Sequence, residues 1–266
     1  MIGLGLKMGG GVVQAAAAAT QAGRSASSFS DTQAWSLDGV DDALTTQSSP
    51  DFFSGSGVTF SFWVKDDGIA SKLFIQQRAS DSERYRIGFS GGYPIFSNNA
   101  SAGGSTFLAG TAISNNTYTH VCWSIDISST SNFLANTKCY LNGVDAGKFL
   151  GGAANSCASL DFQHTGLHSV GLSAASTYTH LDEFNEYAVW DVAMTQAQVT
   201  ALYNSGAPMD LSTNSGDYNV SSDLQLWMRG EETYSSGAPF YSWTESSSNG
   251  LAMYALGNVG QISSTL

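Results

Sequence analysis

Asp182, Glu183 and Glu186 fall within five residues of the run HLDEFNEYAVWDVAMTQAQVTALYNSG (180–206), in a chain with only 12% charged residues. Paired carboxyls are the machinery of glycoside hydrolysis, which needs them about 5 to 5.5 Å apart for retention and roughly 6.5 to 9.5 Å apart for inversion. Read as a strand, the run sends Asp182, Phe184 and Glu186 to one face and Glu183, Asn185 and Tyr187 to the other. Asp182 and Glu186 are then about 13 Å apart, at about 3.3 Å per residue. No hydrolytic pair is expected from that spacing. The expected role of Asp182 and Glu183 is to bind backbone amides or to cap the segment that follows.

Other chemistry-bearing residues are sparser. His164 and His168 in QHTGLHS have the i, i+4 spacing that would suit a metal on a helix. Gly166 and the strand-like GLHSVGL speak against a helix, so surface or turn histidines are expected. No Ser, His and Asp set with a nucleophile elbow occurs, and GGG at 9–11 has neither a strand before it nor a Lys-Ser after it to cradle phosphate. Tyr85, Tyr93, Phe96 and Phe107 lie among SGG and SNNASAGGS turns. They either fill a core or stack on sugar faces, with Asn98, Asn99, Asn115 and Asn116 as hydrogen-bonding partners or plain turn residues. Loops carry function in all-β sandwiches, so this region is the expected binding surface.

These residues need a frame. With 266 residues, 42% hydrophobic, 12% aromatic and 29 glycines, the chain has the composition of one large all-β domain with short extras. A net charge of −12 with ten Lys and Arg gives no electrostatic footprint for nucleic acid or for an anionic membrane, and no run of eighteen apolar residues predicts a membrane-spanning helix. Cys122, Cys139 and Cys157 form no disulfide framework; buried thiols are expected rather than a Cys122 to Cys139 bridge. Residues 1–34, rich in Gly, Ala, Ser and Gln, read as an N-terminal arm. Gly9 to Gly11 and Gln14 interrupt the apolar run a signal peptide would need.

From Trp35 the pattern predicts strands at 34–38, 42–47, 58–65, 71–78, 84–89, 93–97, 105–109, 118–126, 137–142, 159–163, 168–172 and 181–190. GVTFSFWVK alternates as a half-buried strand does, and Asn142-Gly143 signals a tight turn. One helix is predicted at 195–204, with Thr195 as N-cap and Gly206 and Pro208 to stop it. The polar and then aromatic tail, 209–266, carries strand-like 223–229 and 251–256; it either completes the sheet or packs on another subunit.

The ordered set SLDGVDDAL (36–44), VTFSFWVKD (58–66), YTHVCWSID (118–126), KCYLNGVDAG (138–147) and LDEFNEYAVWDVAMTQAQVTALYNSG (181–206) resembles laminin-G-like, concanavalin A-like jelly-roll domains. The resemblance implies a two-sheet antiparallel sandwich over 35–208, whose last long strand is followed by a short edge-closing helix. DLQLWMRGEE and WTESSSNGLAMYAL are similar to the opening of a further such unit, a C-terminal partial repeat. The resemblance implies a structural Ca²⁺ held by acidic side chains and carbonyls, for which Asp38, Asp41, Asp42 and Asp182 are the candidates, and it makes His120 a structural residue. Related laminarinase-type glucanases carry Glu-x-Asp-x-Glu, with or without an insertion, on the catalytic strand; this strand has neither. No enzyme is therefore expected.

The architecture, a glycine-rich start, one such domain and an incomplete second opening, resembles virion proteins of tailed bacteriophages. That resemblance implies a particle component assembled in the host cytoplasm, on the capsid surface or in a tail appendage. It would contact other virion proteins through its arm, form a homo-oligomer and touch a host-surface glycan. A secreted bacterial carbohydrate-binding lectin is the first alternative, and a laminarinase-like glycoside hydrolase the second.

Overall fold

The computed structural model describes residue 29 and residues 31–37, 42–65, 71–80, 83–100, 103–128, 133–150, 166–171, 183–232, 242–244, 246–256, 259–263 and 266. In chain order the strands are β1 (Gln33–Ser36), β2 (Ala43–Thr46), β3 (Gly57–Lys65), β4 (Ser71–Ser80), β5 (Glu83–Ser90), β6 (Tyr93–Ala100), β7 (Gly103–Ala109) and β8 (Thr119–Asp126). A helical turn, α1 (Phe133–Asn136), precedes β9 (Thr137–Leu141), β10 (Val144–Asp145), β11 (Lys148–Leu150), β12 (His168–Gly171) and β13 (Glu183–Trp190). The helix α2 (Gln196–Tyr203) follows, then β14 (Leu224–Met228), β15 (Ser242–Thr244), β16 (Ala252–Leu256) and β17 (Gly260–Ser263).

All strand pairings are antiparallel, in two sheets. The first runs β10-β9-β8-β3-β13-β1-β17 with β14 also on β13, and the second runs β11-β7-β6-β5-β4-β12-β2-β16-β15. This is the expected all-β jelly-roll sandwich. Strands of the tail join both sheets: β14 pairs with β13, β16 with β2 and β17 with β1. The edges are strands of two to five residues, short enough to offer little template to another chain. The predicted strand at 159–163 lies outside the described residues.

Alternation builds the core. On β3, Val58, Phe60, Phe62 and Val64 enter the space between the sheets, as do Val121, Trp123 and Ile125 of β8 and Tyr85, Ile87 and Phe89 of β5. The opposite face of the first sheet is buried as well. Cys122, Tyr140, Ala188 and Trp190 pack there beneath Val199 and Leu202 of α2 and beneath Leu211, Tyr218 and Val220. The hydroxyls on that face are held by the chain crossing it: Thr59 Oγ1 donates to the Val192 carbonyl at 2.7 Å, and Ser124 Oγ to the Met194 carbonyl at 2.8 Å. Gly57 lets the crossing come this close, because a Cβ there would lie 2.5 Å from the Ala193 nitrogen.

Local signals act as expected in two places. Thr195 caps α2 in a reciprocal box, its hydroxyl accepting from the Gln198 amide while the Gln198 side chain accepts from the Thr195 amide. Asn142 (φ 50°) and Gly143 (φ 75°) turn β9 into β10, the left-handed pair that a two-residue hairpin of this twist requires. Cys122 and Cys139 are free and buried. They point to opposite faces of the sheet, which is why neighbouring strands carry them without a bridge. Cys157 lies outside the described residues.

The run EFNEYAVW of β13 departs from simple alternation. The register of β13 on β3 shifts between Asn185 and Ala188, and Glu186 has φ 50°. This β-bulge places one extra residue on the outer face. Phe184, Tyr187 and Val189 all enter the core, so Tyr187 does not share a face with Glu183 and Glu186 does not share one with Phe184. Asp182 lies outside the described residues.

His168 is also a correction. It is fully buried rather than on the surface or in a turn. Tyr85 Oη lies 2.8 Å from its Nδ1, Tyr187 Oη lies 2.8 Å from its Nε2, and Phe52 meets it edge-on at 5.0 Å. Two hydroxyls at the two ring nitrogens satisfy a neutral imidazole inside an apolar sandwich. His164 lies outside the described residues. Burial pushes both His168 and His120 down from 6.5 to about 3. The unfolded chain therefore takes up these protons below 6.5 and the folded one only near 3, so their contribution is full above 6.5 and is lost as pH falls through that window. We expect each histidine to steepen the acid loss of stability by roughly 1 kcal/mol per pH unit. Denaturant melts from pH 6.5 to 3 should show His168→Asn, although less stable throughout, with a shallower pH slope than the parent by about one proton.

Candidate functional site

Outward-facing Trp63, on the face of β3 opposite the core, begins an aromatic step at the rim of the first sheet. Its indole stacks on Tyr203 at 5.7 Å and 30°, and lies 5.1 Å from the His120 ring. Tyr203 is the last residue of α2, and two glycines leave room for its ring. A Cβ on Gly143 would stand 2.9 Å from the Tyr203 Cβ, and one on Gly206 3.4 Å from its hydroxyl. The chain reverses just beyond, with Asn204 and Ser205 in left-handed conformations. Gln196 and Thr200 tie α2 to the same hairpin, each donating to the Gly143 carbonyl, at 2.7 and 3.0 Å.

Trp63 and Tyr203 form one wall of an open cleft of about 530 Å³, completed by Lys65, Asn116, Thr117, Tyr118, Asn142, Gly206 and Leu266. Glu183 closes its back. Lys65 Nζ donates to Glu183 Oε1 at 2.8 Å, Tyr118 Oη donates to Oε2 at 2.7 Å, and the ammonium lies 5.8 Å above the Tyr118 ring. Partial burial pushes the Glu183 carboxyl up, but the Lys65 and Tyr118 hydrogen bonds outweigh it and hold the group below its ordinary 4.5. The expectation that Glu183 binds backbone amides or caps the helix segment is thus corrected: it neutralises Lys65 and orients Tyr118. The result is a cleft with aromatic rings, amide and hydroxyl groups and a Lys65–Glu183 ion pair.

His120 is buried between the strands and the cleft wall. Its Nε2 lies 2.7 Å from Ser61 Oγ and its backbone N–H donates to Asn142 Oδ1 at 3.0 Å. Behind it, Ser61, Trp63, His120, Glu186 and Leu211 enclose a cavity of about 10 Å³, space for about one water molecule. Glu186 is buried; Trp227 Nε1 donates to its Oε2 at 2.6 Å and Arg229 Nε lies 3.6 Å from its Oε1. With Glu183 fully engaged and Glu186 sealed beneath the tail, the two carboxyls do not face a common substrate space.

The expected binding loops at 84–109 are largely core. Tyr85, Phe96 and Phe107 are buried, Phe96 stacking on Phe107 at 6.4 Å, and Asn98 is buried with them. The pleat turns these side chains inward, the two-residue period of Tyr85, Ile87 and Phe89 being its signature. Tyr93 is half-buried against Phe149 at the opposite sheet's edge, and Asn99 belongs to β6, its side chain outside what is described. Asn115 and Asn116 are exposed in the turn before β8, and of all these candidates only Asn116 lines the cleft. Trp63, Tyr118 and Tyr203 were missed as site residues. The signal for Trp63 was a large ring on the polar face of an alternating strand.

Of the calcium candidates, Asp42 is buried beside β2, and Asp38, Asp41 and Asp182 lie outside the described residues. No three His, Cys, Asp or Glu among the described residues are placed to hold a metal ion.

The profile of a laminin-G-like family, described as the concanavalin A-like lectin/glucanases superfamily, matches residues 38–200. Among solved structures, a proposed carbohydrate-binding protein from Bacteroides ovatus superposes with a TM-score of 0.60 at 13% identity, over 90% of this chain and 61% of that one. This chain thus spans less than two thirds of that protein's length. A heptameric SAP-like pentraxin from Limulus polyphemus superposes with a TM-score of 0.48 at 15% identity, over 65% and 82% of the two chains. No curated protein sequence matches.

Tyr203 depends on Gly143 for its seat, and Gly143 has φ 75°. Gly143→Ala should combine backbone strain with a forced shift of the Tyr203 ring, lowering stability by about 1–3 kcal/mol in equilibrium unfolding. A variant as stable as the parent would remove this packing account.

Proposed function

The chain belongs to the concanavalin A-like lectin/glucanases superfamily, and from that premise we propose that it is a non-enzymatic glycan-binding protein whose binding surface is the cleft of Trp63, Lys65, Asn116, Tyr118 and Tyr203. The observation that carries this reading is the pairing of partly exposed tyrosine rings with amide and hydroxyl groups in a cleft whose lysine is paired with Glu183. Sugar rings present apolar C–H faces that stack on aromatic rings, and hydroxyls that bond to amides. The Lys65–Glu183 pair favours neutral glycans over sialic or uronic acids, which would leave Glu183 and the ligand's carboxylate competing for Lys65.

Catalysis is not part of the proposal. Glu183 accepts from two donors and Glu186 is buried, so neither is free to act as nucleophile or proton donor on a bound sugar.

The setting we propose is a phage particle, where many copies would multiply a weak single-site affinity, with the arm contacting other virion proteins and a homo-oligomer presenting the clefts outward. Microscopy of purified particles labelled for this chain decides between this and a secreted lectin: labelled particles support it, and a free protein in culture medium overturns it. A structural Ca²⁺ at Asp38, Asp41, Asp42 and Asp182 belongs to the same proposal. Chelator should then lower Tm and added Ca²⁺ restore it, whereas an unchanged Tm removes the ion.

Titration of neutral oligosaccharides followed by NMR should shift the resonances of Tyr118 and Tyr203. Tyr203→Ala should weaken binding at least tenfold, as expected when a stacking ring worth about 1.5 kcal/mol is lost, and no reducing sugar should be released. Binding that survives Tyr203→Ala, or release of sugar that Glu183→Gln abolishes, would overturn the reading.

A further inference from the structure

Away from the cleft, the approach to β1 is clamped against the tail by aromatic and acidic groups. Phe29 stacks on Trp227 at 5.9 Å and 14°, and the Arg229 guanidinium lies 4.3 Å from the Phe29 ring and 5.2 Å from the Trp227 ring. Asn185 Nδ2 donates to Asp31 Oδ2 at 2.7 Å, and the Thr32 N–H and hydroxyl both donate to Glu231 Oε1. Glu232 Oε1 accepts from the Arg229 N–H at 2.6 Å and from Ser246 Oγ at 3.2 Å. Asp31 from the approach to β1, Glu186 from β13, and Glu231 and Glu232 from the segment after β14 thus gather around Arg229, with neutral His120 of β8 beyond Glu186 across the small cavity.

Among the described residues one guanidinium faces four carboxylates. Asp31 Oδ1, Glu186 Oε1 and Glu232 Oε2 are buried and accept no hydrogen bond from the described residues. A buried carboxylate oxygen without a donor is destabilising, and a proton removes both the charge and the need for a donor. The described residues offer no three-ligand metal geometry there, so the neutralising agent that fits is a proton. The bulge concentrates the demand, since it turns Glu186 into this layer in a left-handed conformation.

We propose that this cluster is a proton-operated latch, in which protons shared among Asp31, Glu186 and Glu232 hold Phe29, Asp31 and Thr32 against the first sheet and their loss loosens that segment. The latch stands independently of the glycan reading. Its sign follows from Asp31. Burial is the largest cause, opposed by the Asn185 hydrogen bond and reinforced by Glu231, and it raises the carboxyl from 3.8 to about 6. Burial likewise raises Glu186, with Asp31 next in effect, and Glu232. The docked segment keeps its proton up to about 6 and a released one only below 3.8, so docking strengthens as pH falls through 6 and is weakest above it.

Hydrogen exchange on the full chain tests this. After correction for intrinsic rates, protection of the Thr32 amide should be about tenfold higher at pH 5 than at pH 7, while amides of β8 in the core show no such gain. Asp31→Asn, neutral at every pH and of the same shape, should be protected at both pH values and lose the tenfold change. Equal protection of the parent at the two pH values, or a tenfold change retained in Asp31→Asn, would overturn the latch. If Asp31→Asn does not fold, Glu232→Gln serves instead: a reduced pH step supports the latch, and an unchanged one overturns it.

Discussion

The first sheet depends on β13 meeting three neighbours, and the bulge at Glu186 is what makes that possible. Its first residues pair with β1 and its last with β14 along the same edge, while the other edge stays on β3. One extra residue and a sharper local twist let the two halves address different partners. The left-handed Glu186 is a strained choice for a residue with a side chain, and the bond from its own N–H to Asn185 Oδ1 at 2.8 Å stabilises it locally. From this one irregularity follow the inward turn of Tyr187 to His168, the burial of Glu186 under Trp227, and the docking of the tail as part of the sheet.

Burial on both faces gives the first sheet its character. A strand in such a slab still alternates, but between two hydrophobic clusters rather than between core and water. Polar residues on the second face are paired, Thr59 and Ser124 by the crossing segment and Ser61 by His120 of the neighbouring strand. At the rim, where α2 ends, this second layer stops. Trp63 is therefore a buried ring that finishes a packed layer and edges an open cleft, while Tyr203, stacked on it, is the partly exposed part of that wall.

Much of this was legible in the sequence where the signal is local. The Asn142-Gly143 turn and the Thr195 to Gln198 box each act over a few residues and appear as expected; GVTFSFWVK forms the expected strand, but both of its faces are buried where a half-buried one was expected. What was not legible depends on distant partners. Strict alternation through DEFNEY failed because the bulge is set by β1 and β14, both remote in sequence. His168 looks like a polar strand residue until Tyr85 and Tyr187 arrive from two other strands, one in the opposite sheet, to bond both its nitrogens. The cleft was similarly hidden, since its rings come from β3, the turn before β8 and the end of α2. The aromatic residues at 84–109 were the reverse case: their two-residue period already placed Tyr85, Ile87 and Phe89 together on one face.

Cys122 and Cys139 sit on adjacent strands yet face opposite sides of a sheet. Burial holds both thiols well above their ordinary value, so each stays protonated and unreactive. Neither sulfur can reach the other without turning a strand over, and neither meets a soluble oxidant without opening a hydrophobic cluster. The fold of this region is thereby indifferent to the redox potential around it. These two cysteines behave as small core residues in a reducing cytoplasm and in oxidising surroundings alike, so a single folded form can be built in one and used in the other.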